Sequence, residues 1–543
     1  MSEAAPATFP NPPPLTIPQK RPLTEDKHAP TVGSPLNPNS TRVREERMKK
    51  PSAKARKESP EPTSAKKGGK KTAKVSEVLR PIRYKLPLPK ITDFEPPPRP
   101  FFVPGPVRKG REFAEATEII TNKKGFRYTN AIADPRFKHS LYNRHTEPEP
   151  YGARLSYEDA SAQILFDGNA VTTDKGFRMG RANVGAREGR WYWECKILSG
   201  IQQPNDSGVV SEDGGHVRIG WARREATLEG PVGFDAYSYG LRDVGGQKIT
   251  RSRPNDFALS DLCEGDVIGL ELTLPSLSFH RKVVDGVYNK AVDSSDDLDL
   301  TASAEAPDIV RDRVVLRSKT RLYFEAYEYQ YTKPLEDYMN PTPLPASAAS
   351  EVDPPNPNNP LPQLRTLPFS SIKIYRNGEL LGTPFTDLLS FLPPASKPNA
   401  QVGAREGLDD GMLGYYPAVS VFRGGAVETN FGPDFTFPPE ELSKKEDVEM
   451  SGMAENDDHI RITGSKSKLR PMSERFDEQI AEDIVYDIID EVDFWALDGG
   501  DSEGAMKDLS EAAPATFGSV EIEAGVAMAM EGRKPAPLEV IQS

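Results

Sequence analysis

Four carboxylates crowd into Asp293-Ser294-Ser295-Asp296-Asp297-Leu298-Asp299, close enough to share a cation. The glycine and terminal glutamate that shape a calcium loop are missing, so the string reads as a solvated insertion. Gly464-Ser465-Lys466-Ser467-Lys468 has the glycine and lysine of a phosphate-cradling loop without its spacing or a preceding strand, and reads as a linker. The six histidines are scattered, and His216 and His280 fall among strand-like segments as packed or exposed side chains rather than ligands. Cys195 and Cys263, the two cysteines, form no Cys-x-x-Cys pair and no zinc-finger cluster, which fits a reducing compartment. No His-Glu-x-x-His, Gly-x-Ser-x-Gly or Walker sequence occurs. The reading is of a chain with no catalytic centre, no metal site and no cofactor.

The remaining chemistry is that of binding. From Ser473 to Val492 the residues Ile480, Ala481, Ile484, Val485, Ile488, Ile489 and Val492 recur at three- and four-residue spacing. They form one apolar stripe on a helix, while Glu478, Glu482, Asp483, Asp487 and Asp490 are expected to solvate the other face. Ser473 is the expected N-cap. Acidic, polar segments flank this helix, so the stripe is built either to bind another protein or to fold back on the domain before it. A second binding feature is cationic. Arg42 to Lys74 holds 13 Lys or Arg against 4 Glu in a chain whose formal charge is −12. Its two clusters, Lys49, Lys50, Lys54, Arg56 and Lys57, then Lys66, Lys67, Lys70 and Lys71, suit nuclear import, the phosphate backbone of DNA, or both.

The elements that must position these residues follow from composition. With 52 prolines, 28% charged and 36% hydrophobic residues in 543, much of the chain is not expected to pack, leaving one substantial core. Residues 1 to 111 read as a disordered Pro-rich tail, 112 to 151 as a preceding segment, and 152 to 440 as a mainly β domain. Within that domain Gln163–Thr173, Arg190–Ile197, His216–Ala222, Asp266–Leu274, Arg321–Tyr327, Ile372–Leu381 and Pro417–Asn430 are the clearest strand segments. Asn377-Gly378 marks a hairpin, because both positions favour left-handed backbone. So many short strands imply a two-layer antiparallel sandwich. Insertions near 285–307, 334–368 and 393–411 read as loops, 441–469 as an acidic linker, 470–495 as the helix and 496–543 as a second disordered tail. No run of 18 or more apolar residues and no secretion signal is present, so no membrane partner is expected. The string Ser-Glu-Ala-Ala-Pro-Ala-Thr-Phe occurs at Ser2–Phe9 and again at Ser510–Phe517, and has no physical account.

Five motifs, Gly189-Arg-Trp191-Tyr-Trp193-Glu194, Arg218-Ile-Gly220-Trp221, Gly265-Asp266-Val-Ile-Gly269, Tyr375-Arg-Asn377-Gly378, and Tyr416-Pro417-Ala-Val-Ser420 followed by Asn430-Phe431-Gly432, resemble in sequence and order the SPRY domain. Three strings narrow the resemblance: Val184-Gly-Ala-Arg187-Glu-Gly189, Gly230-Pro231-Val-Gly233-Phe234-Asp-Ala-Tyr237-Ser238-Tyr239-Gly-Leu-Arg242, and Asn430-Phe-Gly-Pro433-Asp-Phe435. With Arg470-Pro471-Met472-Ser473 leading into the amphipathic helix, they are similar to the SPRY subunit of COMPASS-type histone methyltransferase complexes, the fungal Bre-two and animal Ash-two-like family.

That resemblance implies a non-catalytic scaffold in the nucleus, partnered by a WD-repeat subunit, a Set-one-type SET-domain methyltransferase and a Dumpy-thirty homologue. It matches Arg187, Pro231, Phe234 and Arg242 to positions that contact an acidic, aromatic segment of the WD-repeat subunit, with Phe234 standing where the family often has Tyr. It makes the helix the dock for the Dumpy-thirty dimer, with Ile484 and Ile488 as anchors. Animal relatives carry a zinc-dependent finger for which this chain lacks the cysteines, leaving the basic tail as the candidate contact to DNA or the nucleosome. The alternative is a SPRY-type substrate receptor of a ubiquitin ligase, which usually carries a RING finger or a cullin-docking box, and neither is visible here.

Overall fold

In a computed structural model, the described residues are 90–95, 100–117, 126–133, 143–202, 215–293, 309–311, 314–318, 320–327, 331–340, 353–397, 408–443 and 468–498. The basic clusters between Lys49 and Lys71 lie outside them, as do Asp296 to Asp299 and residues 499–543 of the second tail. Two antiparallel sheets face each other. The larger runs Phe101–Arg108, Arg111–Thr117, Leu165–Asp167, Ala170–Thr172, Ala426–Asn430, Gly189–Ser199, Val267–Leu274, Ser371–Arg376 and Glu379–Thr386. The smaller runs Arg253–Asn255, Lys248–Thr250, Ser238–Arg242, His216–Ala222, Tyr416–Phe422, Arg178–Ala182 and Leu155–Ala160.

Alternation decides which side chains enter the core between them. Trp191, Trp193, Cys195 and Ile197 project from one sheet and Val217, Ile219 and Trp221 from the other, all buried. Trp193 meets Trp221 edge to face at a centroid distance of 6.2 Å, and stacks on Phe431 at 5.8 Å. Gly220 is required here, because a Cβ would collide with the Tyr239 carbonyl oxygen on the neighbouring strand. Cys195 and Cys263 are both free thiols. Asn377 (φ +50°) and Gly378 (φ +88°) make the left-handed hairpin turn read from the sequence.

Three regions differ from the sequence reading. Residues 101–117, divided between the tail and the preceding segment, form a hairpin whose second strand joins the larger sheet beside Leu165–Asp167. The insertion near 334–368 is not wholly loop, and a helix that the strand patterning does not mark precedes the insertion near 285–307, whose described residues 286–293 carry no helix or strand. Leu277–Asp285 is a helix, capped by Ser276 Oγ accepting from Phe279 N and closed by left-handed Gly286. Lys333–Met339 is a second helix with proline in its first turn. Finally, Val314–Ser318, Arg321–Tyr327, Phe126–Ala133 and Asn143–His145 form a separate four-stranded antiparallel sheet. Of its strands the sequence patterning marks Arg321–Tyr327 alone.

The C-terminal helix Met472–Asp498 is tied to the sandwich at its start. The short strand Leu469–Pro471 pairs in parallel with Arg190–Tyr192, and Arg470 lies 4.1 Å over the Trp191 ring. Met472 and Phe476 are buried in the main core, and Ile480 packs against it. Ser473, expected to cap the helix, is already inside it and donates its N–H to the Phe431 carbonyl at 2.9 Å. The first turn's unpaired donors are thus partly met by the sandwich itself.

Candidate functional site

Two surfaces assemble most of the described residues singled out in the sequence. The first lies on the outer face of the smaller sheet. Inward placement of Val217, Ile219 and Trp221 turns Arg218 outward, and the antiparallel register sets Arg218 opposite Arg242 on the neighbouring strand. A turn folds over this face: Phe234 N donates to the Pro231 carbonyl at 3.0 Å, and Arg218 Nη1 donates to the Val232 carbonyl at 3.4 Å. Gly233 (φ +79°) makes the turn possible, since a Cβ there would stand 2.6 Å from the Ile249 carbonyl oxygen. Ser252 fixes the turn from the other side, its N–H on the Gly233 carbonyl and its hydroxyl on the Phe234 carbonyl, both at 2.8 Å. The result is Pro231 half-buried and Phe234 49% exposed on the turn that Arg218 holds at Val232.

The electrostatics of this face favour an anion. Arg242 reaches Gln247 Oε1 at 3.3 Å, a neutral partner. Partial burial and then the Arg242 charge bring Arg218 down to about 10, so it remains protonated at neutral pH and gains from a carboxylate set beside it. Aromatic surface continues the patch: Arg218 lies 4.8 Å over Phe177, which packs on Phe422 at 4.9 Å, and exposed Arg423 lies 5.1 Å over Phe422. At its edge His216 Nδ1 sits 2.9 Å from Asp243 Oδ2. That bond raises the imidazole pKa above the ordinary histidine value, against burial and the two arginines.

Arg187 does not belong to this surface. It is 6% exposed and forms a bidentate pair with Asp409, at 2.6 and 3.3 Å, while also donating to the Leu413 carbonyl at 3.0 Å. Burial works against its charge, but the Asp409 carboxylate overrides it and raises its pKa. With its donors turned inward, Arg187 holds the chain around Asp409 and is not a free fork for a partner. Arg218 is the arginine the sequence reading left out of the site. The signal was present in the alternation of His216-Val-Arg218-Ile-Gly220, which points Arg218 away from the core.

The second surface is the C-terminal helix. Ile484, Val485, Ile488, Ile489 and Val492 are between 45% and 60% exposed, and Ala481 is exposed beside them. Ile480 is the member of the predicted stripe that packs inward. The acidic face departs from expectation more strongly. Asp487 is buried and pairs with Arg311, Asp483 pairs with Arg311, and Glu482 chelates the buried Arg475 through two bonds of 2.8 Å. These carboxylates are taken by arginines because the helix lies against the sandwich and the four-stranded sheet instead of standing free. The side chain of Asp490 lies outside the described residues.

Neither surface holds the parts of a catalytic centre. Buried His280 accepts from the Phe391 and Leu392 amides through Nε2, at 3.2 and 3.4 Å, and serves packing. Asp293 accepts from Asn289 N and Lys282 Nζ. Among the described residues no group of three or more His, Cys, Asp or Glu is placed to hold a metal ion. No described helix is long and apolar enough to cross a membrane.

An antiparallel sandwich with a cationic, aromatic outer face and a docked helix showing aliphatic side chains is the form of a protein-binding scaffold. A scan against protein families finds no match. Among known proteins the chain is 51% identical over 517 residues to the COMPASS component cclA of Colletotrichum higginsianum, covering 89% of this chain and 90% of that protein. It is 37% identical over 417 residues to the Set1 complex component ash2 of Schizosaccharomyces pombe, covering 76% of this chain and 52% of that protein. A crystal structure of a human SPRY domain is similar over 50% of this chain and 98% of its own, with 12% identity and a TM-score of 0.23. The chain belongs to the family of COMPASS components that includes cclA and ash2.

Proposed function

We propose that this chain is a non-catalytic scaffold and regulatory subunit of a COMPASS, Set-one-type histone H-three lysine-four methyltransferase complex, working in the nucleus. The names of its relatives support the assembly. The observation that carries the scaffold reading is the outward row Ile484, Val485, Ile488, Ile489 and Val492 on a helix whose other side is occupied. A small helical dimer with an apolar groove, the Dumpy-thirty homologue, is the partner we assign to it, with Ile484 and Ile488 as anchors. Each buried isoleucine contributes about 1.5 to 3 kcal/mol, so losing one anchor should weaken the contact about ten- to a hundredfold.

To the outer face of the smaller sheet we assign the acidic, aromatic segment of the WD-repeat subunit, gripped by Arg218 and Arg242 and packed on Pro231 and Phe234. Planar guanidinium forks suit carboxylates, and the ring supplies apolar area. Phe234 has no hydroxyl, so it contributes packing alone. The pair of subunits then orders the SET-domain enzyme. Lys49, Lys50, Lys54, Arg56, Lys57, Lys66, Lys67, Lys70 and Lys71 are assigned to DNA, an import receptor, or both. The test is methyl transfer to a histone tail peptide from S-adenosylmethionine. The purified chain alone should give none, and should raise the rate of the SET-domain enzyme when the WD-repeat subunit is present. Transfer by the chain alone sinks the scaffold reading.

A further inference from the structure

The distal half of the C-terminal helix is held by charge. Up to Ile480 the helix is secured by apolar packing on the sandwich and by Gln479 Nε2 donating to the Asn183 carbonyl at 3.2 Å. One turn later Asp483 and Asp487, four residues apart and so on one side of the helix, meet Arg311. Its Nη1 lies 3.3 Å from Asp483 Oδ1 and its Nη2 3.0 Å from Asp487 Oδ1, and its guanidinium stands 5.2 Å from the Tyr486 ring centroid. From the edge strand of the four-stranded sheet, Arg144 Nη1 approaches Asp487 Oδ2 at 3.6 Å and His145 Nδ1 approaches Asp483 Oδ2 at 3.9 Å. Arg311 is itself braced. Val310 N donates to the Asp409 carbonyl at 2.9 Å, and Asp409 is the residue whose carboxylate Arg187 chelates.

We propose that Arg311 and Arg144 form a clamp that keeps residues 481–492 helical and turns the Ile484 and Ile488 face outward before any partner arrives. They are positioning residues: they touch the helix and not its partner. Arg311 and Asp487 are both buried, so opening their pair costs more than breaking an exposed one. Without the clamp the distal turns would fray, because a helical segment of this length lacks stability of its own. A partner would then have to order them at the expense of affinity. The four-stranded sheet thereby gains a role, as the platform that presents the docking helix.

The inference rests on the helix being the dock for the Dumpy-thirty dimer, and two readouts on the full chain keep the two ideas apart. The first is amide hydrogen exchange over 483–492 in the free protein, and the second is calorimetric affinity for the purified Dumpy-thirty homologue. Arg311→Gln should speed exchange in that segment by about tenfold or more and weaken binding about tenfold, leaving protection of Gly189–Ser199 unchanged. Arg311→Lys, which keeps the charge, should recover much of both. If protection of Gly189–Ser199 falls in Arg311→Gln, the same criteria are applied to Asp487→Asn, which opens the clamp from the helix side. Unchanged exchange over 483–492 in a folded variant overturns the clamp. Faster exchange with unaltered affinity overturns its positioning role. A wild-type chain that does not bind the dimer refutes the docking assignment, and the exchange readout still decides whether the clamp orders the helix.

Discussion

Arg218 and Arg242 stand directly opposite each other on adjacent antiparallel strands, two like charges in register, and Arg218 also bonds the Val232 carbonyl of the turn that carries Pro231 and Phe234. Like charges so placed repel and cost stability. An arrangement that weakens the fold but focuses positive charge is intelligible as a site for carboxylates.

Replacing Arg218 or Arg242 by Ala should therefore leave thermal stability unchanged or slightly raised, while weakening the acidic WD-repeat segment about ten- to a hundredfold. That range follows from about 1.5 to 3 kcal/mol for a hydrogen bond to a charged group. Calorimetry beside a melting curve checks both halves, and unchanged affinity in both variants removes the pair from the site.

Arg187→Ala should behave in the opposite way. It leaves the buried Asp409 carboxylate unpaired, which costs about 3 to 5 kcal/mol and lowers the melting temperature by several degrees. Affinity of the remaining folded protein for the acidic segment should be unaltered. A wild-type melting temperature together with lost affinity would return Arg187 to the surface.

The His216–Asp243 contact predicts a pH signature. A histidine whose folded pKa is raised contributes stability that is complete below its unfolded pKa, about 6.5, and that disappears as pH rises through the folded value. Urea midpoints of wild type and His216→Gln should differ at pH 5.5 and converge at alkaline pH. Parallel curves across the range would show that His216 does not gain a proton-dependent partner.

Deleting residues 42 to 74 should abolish weak, sequence-independent DNA binding that falls steeply with added salt. Electrophoretic mobility shifts at two salt concentrations give the result. DNA binding that survives the deletion, with the protein now excluded from nuclei, would make the basic clusters an import signal alone.

How far the sequence is legible depends on the range of the forces involved. Alternation about Trp191, Trp193 and Trp221 is local, and it yields the sandwich and its inner faces directly. The 3.6-residue period of Ile484 and Ile488 likewise yields the helix and its outward stripe. Which polar residues are solvated depends on distant partners. Arg187 reads as exposed because Asp409 is 222 residues away, at the end of a segment that looks like a loop. Asp483 reads as solvated because Arg311 precedes it by 172 residues. The four-stranded sheet is hidden for the same reason, since Phe126–Ala133 pairs with Arg321–Tyr327 across much of the chain. Arg218 is different, because its outward placement follows from local alternation, and it takes on meaning as a site residue once Arg242 is set beside it.

Exposed Asp477 serves as a polar-face control, whereas Glu482 chelates Arg475 and replacing it would disturb the seating of the helix. Co-purification of the full chain with the Dumpy-thirty dimer, comparing wild type, Ile484→Glu, Ile488→Glu and Asp477→Ala, tests the account most directly. Glutamate keeps helix propensity but puts a charge into an apolar groove, so a loss reports the interface and not the helix. Wild type and Asp477→Ala should retain the dimer while both isoleucine variants lose it, with WD-repeat binding intact in all four. Equal retention by all four proteins would contradict the assignment of this helix face to a partner.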